Sequence, residues 1–520
     1  MNKITKILCL LLAVLMLGGA LVGCKKKNPD GETDSPTSDT TPMTSEVETD
    51  EWGQIVYSNP IPDELNYGGQ EFVIYARNSE RFYYEFGQEN VSGNLETQIY
   101  ERNMKVQTNL GVKLTVELGP NGDPGATPAN GVSFNTTVQN AVLAGQHDID
   151  AVAYYALHGV SASTRSLLTN LKDEGFTYLN LDRPYWHQSY LDVVDMPAGL
   201  FYAVGDANLS VYDRLTVIHY NETMGANLGV PDVYEMVLNG SWTYENFLKI
   251  IQDYGKYEDV DKDGHKSDGD VYAYTSITGG EATDPYPTAW GIEMLVEQDG
   301  TYSWNFADNE KLRTATERVY TLFHQPNTRM DLVYGTNFIN GNVLFAQDII
   351  YRSSEDMKKM LNMKDDRGIL PVPKYDSNQT EYYSSAQTAY NIICVPRTSD
   401  KAQMEFVSAV LEDMNYQSYK ALRPYYFQYI CKARYVENSV SVKMFDLVLD
   451  SLKFDLATVF DGQFKKNAAS PLYIFRNACI DSNEVNIGKH AQSLDSAWAS
   501  ASTSMQTELL QFQQWSTQKQ

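Results

Sequence analysis

Asp259-Val260-Asp261-Lys262-Asp263-Gly264-His265 puts carboxylates at the first, third and fifth positions of a loop, with glycine at the sixth. Hard divalent cations take oxygen ligands at this alternating spacing, and the glycine permits the sharp turn that wraps the chain round the ion. The backbone carbonyl of His265 would supply the position-seven oxygen, while Asp268 and Asp270 stand at positions ten and twelve. A glutamate normally gives bidentate coordination at position twelve; the shorter Asp270 does this less well, and Asp268 competes with it. Five acids in twelve residues repel one another without a cation. A structural Ca2+ is the expectation, with a solvated acidic turn as the alternative. Val271–Thr275 alternates like a strand, so the loop is not part of a helix-loop-helix sensor.

A second chemical signal lies at the N-terminus. Lys3 and Lys6 precede an apolar run of eleven residues, Ile7–Leu17, and small residues then lead to Leu21-Val22-Gly23-Cys24. Eleven residues span about 16 Å as a helix, short of the ~30 Å hydrocarbon core, so the order reads as an export signal rather than a membrane span. Leu-Val-Gly-Cys resembles the bacterial lipobox, in which the cysteine is lipidated and becomes the mature N-terminus. A plain signal peptide with a chance cysteine is the alternative. Residues 1–23 are therefore the expected signal peptide and residues 24–52 a lipid-anchored tether. That stretch is rich in Ser, Thr, Pro and acids and cannot build a core. Its Lys25–Lys27 would sit beside an anionic membrane surface. The implied location is the outer face of the cell membrane.

Catalytic patterns do not fill in. The sequence has no His-Glu-x-x-His, Gly-x-Ser-x-Gly or P-loop run, and its seven histidines show no ligand spacing. No organic cofactor is expected. Paired carboxylates for glycoside cleavage remain open, because 67 acids offer many pairs. Against 41 basic residues they give a formal charge of −26, which disfavours nucleic acid as a partner. Removing residues 1–23 takes away two lysines and no acid, leaving −28. Beyond Cys9 and Cys24, the cysteines are Cys394, Cys431 and Cys479, compatible with one disulfide and a free thiol or with buried thiols.

The elements that must position these residues alternate. Glu71–Arg77, Val112–Leu118 and Ile149–Tyr155 read as strands, separated by helical patterns over Leu95–Leu110 and Phe134–Ala144. This order gives a mostly parallel sheet with helices on its faces. Leu215–Tyr220, Gly368–Pro371 and Ala389–Val395 read as further strands. Tyr244–Tyr254 reads as a helix capped by Thr243, and Lys401–Met414 as an amphipathic helix. The last fifty residues are largely helical. Two α/β lobes account for this better than one wide sheet.

Several fragments carry a resemblance. They include Tyr100-Glu101-Arg102-Asn103, Asp148-Ile149-Asp150, Tyr202-Ala203-Val204-Gly205-Asp206, Val217–Asn221, Gly240-Ser241-Trp242-Thr243, Phe338–Phe345 and Gly368-Ile369-Leu370-Pro371-Val372-Pro373-Lys374. In this order, behind a lipobox, they resemble the extracellular solute-binding proteins of family 1, the sugar-type lipoproteins of bacterial ABC importers. Glu222 stands where the family usually has lysine after the crossover-strand asparagine. The resemblance implies a two-lobed α/β fold of class II periplasmic-binding type, with an interlobe hinge and a helical C-terminal region. Residues 53–215 would open lobe I, 216–384 form lobe II, 385–435 return to lobe I, and 436–520 complete lobe II. It implies hinge closure on a small-molecule solute, expected to be a carbohydrate, with ABC permease subunits as partners, a monomer and no enzymatic step. Several family members carry comparable calcium loops. A lipid-anchored glycoside hydrolase and a tethered receptor or adhesion protein without a permease are the rival readings.

Sugar rings present an apolar C–H face that stacks on aromatics and a rim that takes hydrogen bonds. Tyr83, Tyr84, Tyr154, Tyr155, Trp186, Trp290 and Trp304 are the candidate stacking residues, and each has core packing as its alternative. Tyr154 and Tyr155 close a strand at its C-terminal end, where clefts of open α/β sheets form. Asn78, Asp206 and Asp348 are candidates for polar contacts. Trp242 is assigned to the core.

Overall fold

β-branched and aromatic runs too apolar for a solvated face form the strands, and helices cover them on both sides. The computed structural model describes residues 48–50, 54–78, 85–87, 94–119, 128–145, 147–277, 280–331, 336–350, 360, 362–428, 439–464, 470–480 and 492–518. Residues up to Tyr57 form one unit, in which Thr49 and Ile55 make an antiparallel bridge. Ser58–Gln520 is the second unit and contains both lobes.

Lobe I is built on a four-stranded sheet in the order β11-β3-β1-β2, with β1 at Gln70–Ala76, β2 at Val112–Leu118, β3 at Ala151–Tyr155 and β11 at Asn391–Cys394. β1 runs parallel to β2 and β3, and β11 is antiparallel to β3. Phe134 of the helix Pro128–Ala144 stacks on Tyr75 at 4.5 Å on one face. Phe406 of the helix Lys401–Gln417 meets Phe72 edge-on at 5.7 Å on the other. Lobe II is built on a five-stranded sheet in the order β10-β4-β9-β5-β8: β4 Thr216–Asn221, β5 Tyr272–Ile277, β8 Thr328–Asp331, β9 Val343–Ile349 and β10 Arg367–Leu370. A separate hairpin, β6 Leu295–Gln298 and β7 Thr301–Trp304, stands beside it. Thr243 accepts a hydrogen bond from the Asn246 amide and caps Tyr244–Tyr254. Trp242 is fully buried, its indole donating to the Pro371 carbonyl at 2.9 Å.

Among the described residues, three chain segments pair with one another between the lobes. The Thr216 amide donates to the Ser385 carbonyl at 2.9 Å, and the Gln387 amide donates to Arg214 at 2.9 Å, pairing the first two crossovers antiparallel. Ser384 in turn pairs parallel with the segment around Leu452: its amide donates to Ser451, and the Lys453 amide donates back to Ser384.

The C-terminal helix Leu494–Thr517 touches both lobes. Trp304 of β7 donates to the Met505 carbonyl at 3.0 Å, and Gln513 bonds Tyr302 and Gly300. One turn later the Ala198 amide of lobe I donates to the Ser516 carbonyl at 2.9 Å, and the buried Arg165 donates to the carbonyls of Trp515 and Gln518. The last carbonyls of a helix need donors, and lobe I supplies them. Among the described residues no helix is long and apolar enough to cross a membrane.

Candidate functional site

Sheet direction fixes where a cleft can form. β1 and β3 end at Ala76 and Tyr155, next to the crossover that feeds β11, and Arg77 follows β1 directly. In lobe II, β5 and β9 are parallel, and Ile350 just past β9 donates to Leu215 beside the same crossover. The C-terminal edges of both sheets thus converge on the hinge, the position at which open α/β sheets bind ligands. The segments that follow β1, β2, β5, β8 and β9 there lie outside the described residues.

A cavity of about 100 Å³ occupies this junction. Tyr155 lines it from lobe I, Asp284 and Pro285 from lobe II, Ser385 to Ala389 from the crossover, and Thr458 from the C-terminal region. Tyr155 is half-buried, with the Arg77 guanidinium 4.4 Å from its ring centroid. Asp284 forms an ion pair with Arg476 at 2.9 Å. At about 30 Å³ of liquid volume per water, the cavity holds a few waters and is smaller than the roughly 300 Å³ and more of typical ligand pockets.

A roomier groove, about 460 Å³, lies between Asp192–Pro197 and the β6–β7 hairpin. It is larger, but it is lined by the side of the hairpin and not by the strand ends on which the two sheets converge. The smaller cavity is therefore the better candidate.

Among the residues expected from sequence, Tyr155 lines the cavity and exposed Asn78 follows Arg77 at the same sheet edge. Half-buried Asp348 lies on β9 opposite Val217, one residue before the end of the strand, and accepts from the Ile349 amide. Tyr83 and Tyr84 lie outside the described residues. The others are committed to packing. Tyr154 is 2% exposed and meets Phe134 edge-on. Trp186 is buried and donates to Glu412 at 3.0 Å. Trp290 is fully buried, donates to the Pro373 carbonyl at 2.9 Å, and packs against Tyr244, Tyr286 and Tyr375. Trp304 meets Phe464 edge-on at 4.8 Å. Asp206 is 1% exposed, accepts from Tyr212 at 2.6 Å and pairs with Arg423 at 3.5 Å. Burial raises its pKa, against which the Arg423 charge and the Tyr212 hydrogen bond act.

Arg77, Asp284, Gln387 and Thr388 were not singled out from sequence. The crossover has no apolar period, and its only signal was the polar stretch ahead of the strand Ala389–Val395.

The acidic loop turns through Lys262 and Gly264, both at positive φ (59° and 80°). One oxygen each from Asp259, Asp261 and Asp263 lies within 4.8 Å of the others. Asp259 Oδ1 is buried without a hydrogen-bond partner. Asp270 is spent differently: its oxygens accept from the Val260 and Ser267 amides at 2.9 and 2.8 Å. Asp268 pairs with Arg329 at 3.0 Å, and the His265 carbonyl accepts from Tyr257. The first three acids fit a hard cation; the later ones hold the loop shut. Cys394 and Cys479 are buried free thiols, and Cys24 and Cys431 lie outside the described residues.

No protein-family model matches the chain, and no curated relative matches it by sequence. Solved structures do match. The sugar-binding protein MalE of Xanthomonas citri is 12% identical with a TM-score of 0.56, over 87% of this chain and 100% of that one. The galacto-N-biose/lacto-N-biose I-binding protein of a Bifidobacterium longum ABC transporter, solved with lacto-N-biose, is 11% identical with a TM-score of 0.53, over 86% and 98%. UgpB of Mycobacterium tuberculosis, solved with glycerophosphocholine, is 15% identical with a TM-score of 0.52, over 86% and 99%. The chain has the two-lobed, periplasmic-binding-protein-like fold of these proteins.

Proposed function

We propose that the protein captures a small solute, a carbohydrate in our reading, between its two lobes and delivers it to an ABC-type permease. The observation that carries this is the convergence of both sheets' C-terminal edges on one hinge-side cavity. Strand ends of both lobes and the crossover between them meet there, so a solute bound at this place couples to the angle between the lobes. The sugar-binding and ABC-transporter proteins that share the fold support capture; Tyr155, which lines the cavity, supports a ligand with an apolar face. Lipidation at Cys24 would hold the protein on the outer face of the membrane as a monomer, with residues 24–52 as its tether. The acidic loop would bind one Ca2+ through Asp259, Asp261 and Asp263 as a clamp at the entry to β5.

A thermal-shift screen over mono- to tetrasaccharides, glycerophosphodiesters, peptides and amino acids tests the reading, with chromatography of the recovered ligand. A sugar that raises the melting temperature and is recovered intact supports it. A shift with peptides alone removes the carbohydrate assignment, and cleavage of the sugar removes the transport role.

A further inference from the structure

Arg77 is the first residue past β1, and its side chain is fully buried. Burying a guanidinium is costly unless its environment compensates the charge. Two contacts do so in part. Its carbon lies 4.4 Å from the Tyr155 ring centroid, within cation–π range. Its Nη2 donates to the Ala389 carbonyl at 3.4 Å. These partners belong to different structural units: Tyr155 closes β3 in lobe I and lines the cavity, while Ala389 belongs to the crossover arriving from lobe II and lines the same cavity. Next to them the Ala156 amide donates to the Tyr390 carbonyl at 3.0 Å, so the backbone after Tyr155 is fastened to the same crossover.

We propose that Arg77 is a positioning residue for solute capture: it fixes the Tyr155 ring against the crossover, so that the ring's orientation follows the hinge. This rests on the reading of the cavity as the solute site. A tyrosine at a cavity edge has two rotatable bonds to freeze when a ligand arrives. A guanidinium over the ring meets that cost before binding, while Tyr155 still lines the cavity. Lysine keeps the charge over the ring but lacks the planar fork, so Arg77→Lys should retain part of the effect and Arg77→Met none.

The test places 3-fluorotyrosine at position 155 of the full chain and records its fluorine resonance in the parent, Arg77→Lys and Arg77→Met. The same proteins, with Tyr155→Ala, are titrated with the best sugar from the thermal-shift screen. The expected result is a fluorine line that shifts or splits in Arg77→Met, with Arg77→Lys between it and the parent. Sugar binding should weaken by about tenfold in Arg77→Met, the scale of one desolvated cation–π contact. A fluorine line unmoved in both variants overturns the proposal. So does a moved line with unchanged affinity while Tyr155→Ala still weakens binding; the cavity then remains the solute site. Unchanged affinity in Tyr155→Ala as well, or no hit of any solute class on the parent, overturns the cavity reading and the proposal together; where only another class of the screen shifts the parent, its best member replaces the sugar in these titrations. If Arg77→Met loses its near-ultraviolet dichroism, Arg77→Lys alone decides.

Discussion

Glu85 accepts three hydrogen bonds from two residues that flank the two paired crossovers: from the Ser210 amide at 2.6 Å, the Ser210 hydroxyl at 3.0 Å and the Asn391 amide group at 2.5 Å. Ser210 precedes β4 by six residues, and Asn391 opens β11. Burial pushes the Glu85 pKa up to about 8, against the opposing effect of these donors. In the unfolded chain the same carboxyl ionises near its ordinary value. Between those two values the unfolded state holds fewer protons, so stability falls as pH rises. His187 works in the opposite direction, its pKa lowered to about 3 by burial and then by the Arg423 charge; its contribution is lost as pH falls below about 6.5. Above that point Glu85 still titrates, so the melting temperature should decline from about pH 6.5 to about pH 8.5. Glu85→Gln should flatten that slope, which calorimetry across the range will show.

Asp206 and Arg423 form a pair in which the carboxylate is almost wholly buried. Removing the cation leaves Asp206 with the Tyr212 hydroxyl and little else to offset burial. Arg423→Met should cost about 3 kcal/mol, the low end for a broken buried pair because the arginine keeps some exposure. Adding Asp206→Asn should recover part of the loss. Urea denaturation of the two single variants and the double variant measures this coupling.

Trp290→Ala should destabilise the protein by roughly 3–5 kcal/mol through the cavity it opens among Tyr244, Tyr286 and Tyr375. Tyr155→Ala, at a half-buried position, should cost much less. A screen that scored only lost binding would confuse the two. Melting temperatures recorded beside affinities separate folding from capture.

Chelation should lower the melting temperature if Asp259, Asp261 and Asp263 hold Ca2+, and Asp259→Asn should abolish the difference between chelated and calcium-loaded protein. Equal melting temperatures with chelator and with calcium would remove the metal.

The strands of lobe I, the capped helix at Thr243 and the turn of the acidic loop were legible because each depends on local spacing. β8 and β9 were not singled out: Thr328–Asp331 is too short to show a period, and Val343–Ile349 is buried at nearly every position, so it does not alternate. The site was legible only at Tyr155, with Asn78 and Asp348 near the same edges. Trp290 and Tyr155 look alike in sequence, and whether a ring is enclosed or reaches a cavity depends on packing partners 80 or more residues away, such as Pro373 behind Trp290. Asp206 was legible as a conspicuous acid, but its partner Arg423 comes from a segment more than 200 residues later.

The contact of Arg165 with Trp515 and Gln518 bears on how the chain can be made. It joins residues 350 and 353 positions apart, so lobe I is unfinished until almost the whole polypeptide is available. Contacts this distant in sequence are slow to form, because the loop must close before the contact rewards it. A chain emerging N-terminus first can pair β1, β2 and β3 early, yet it must wait for its last helix before Arg165 and Ala198 find their acceptors. Trimming the C-terminus back past Trp515 would take from the buried Arg165 of lobe I, the first part synthesised, the Trp515 and Gln518 carbonyls.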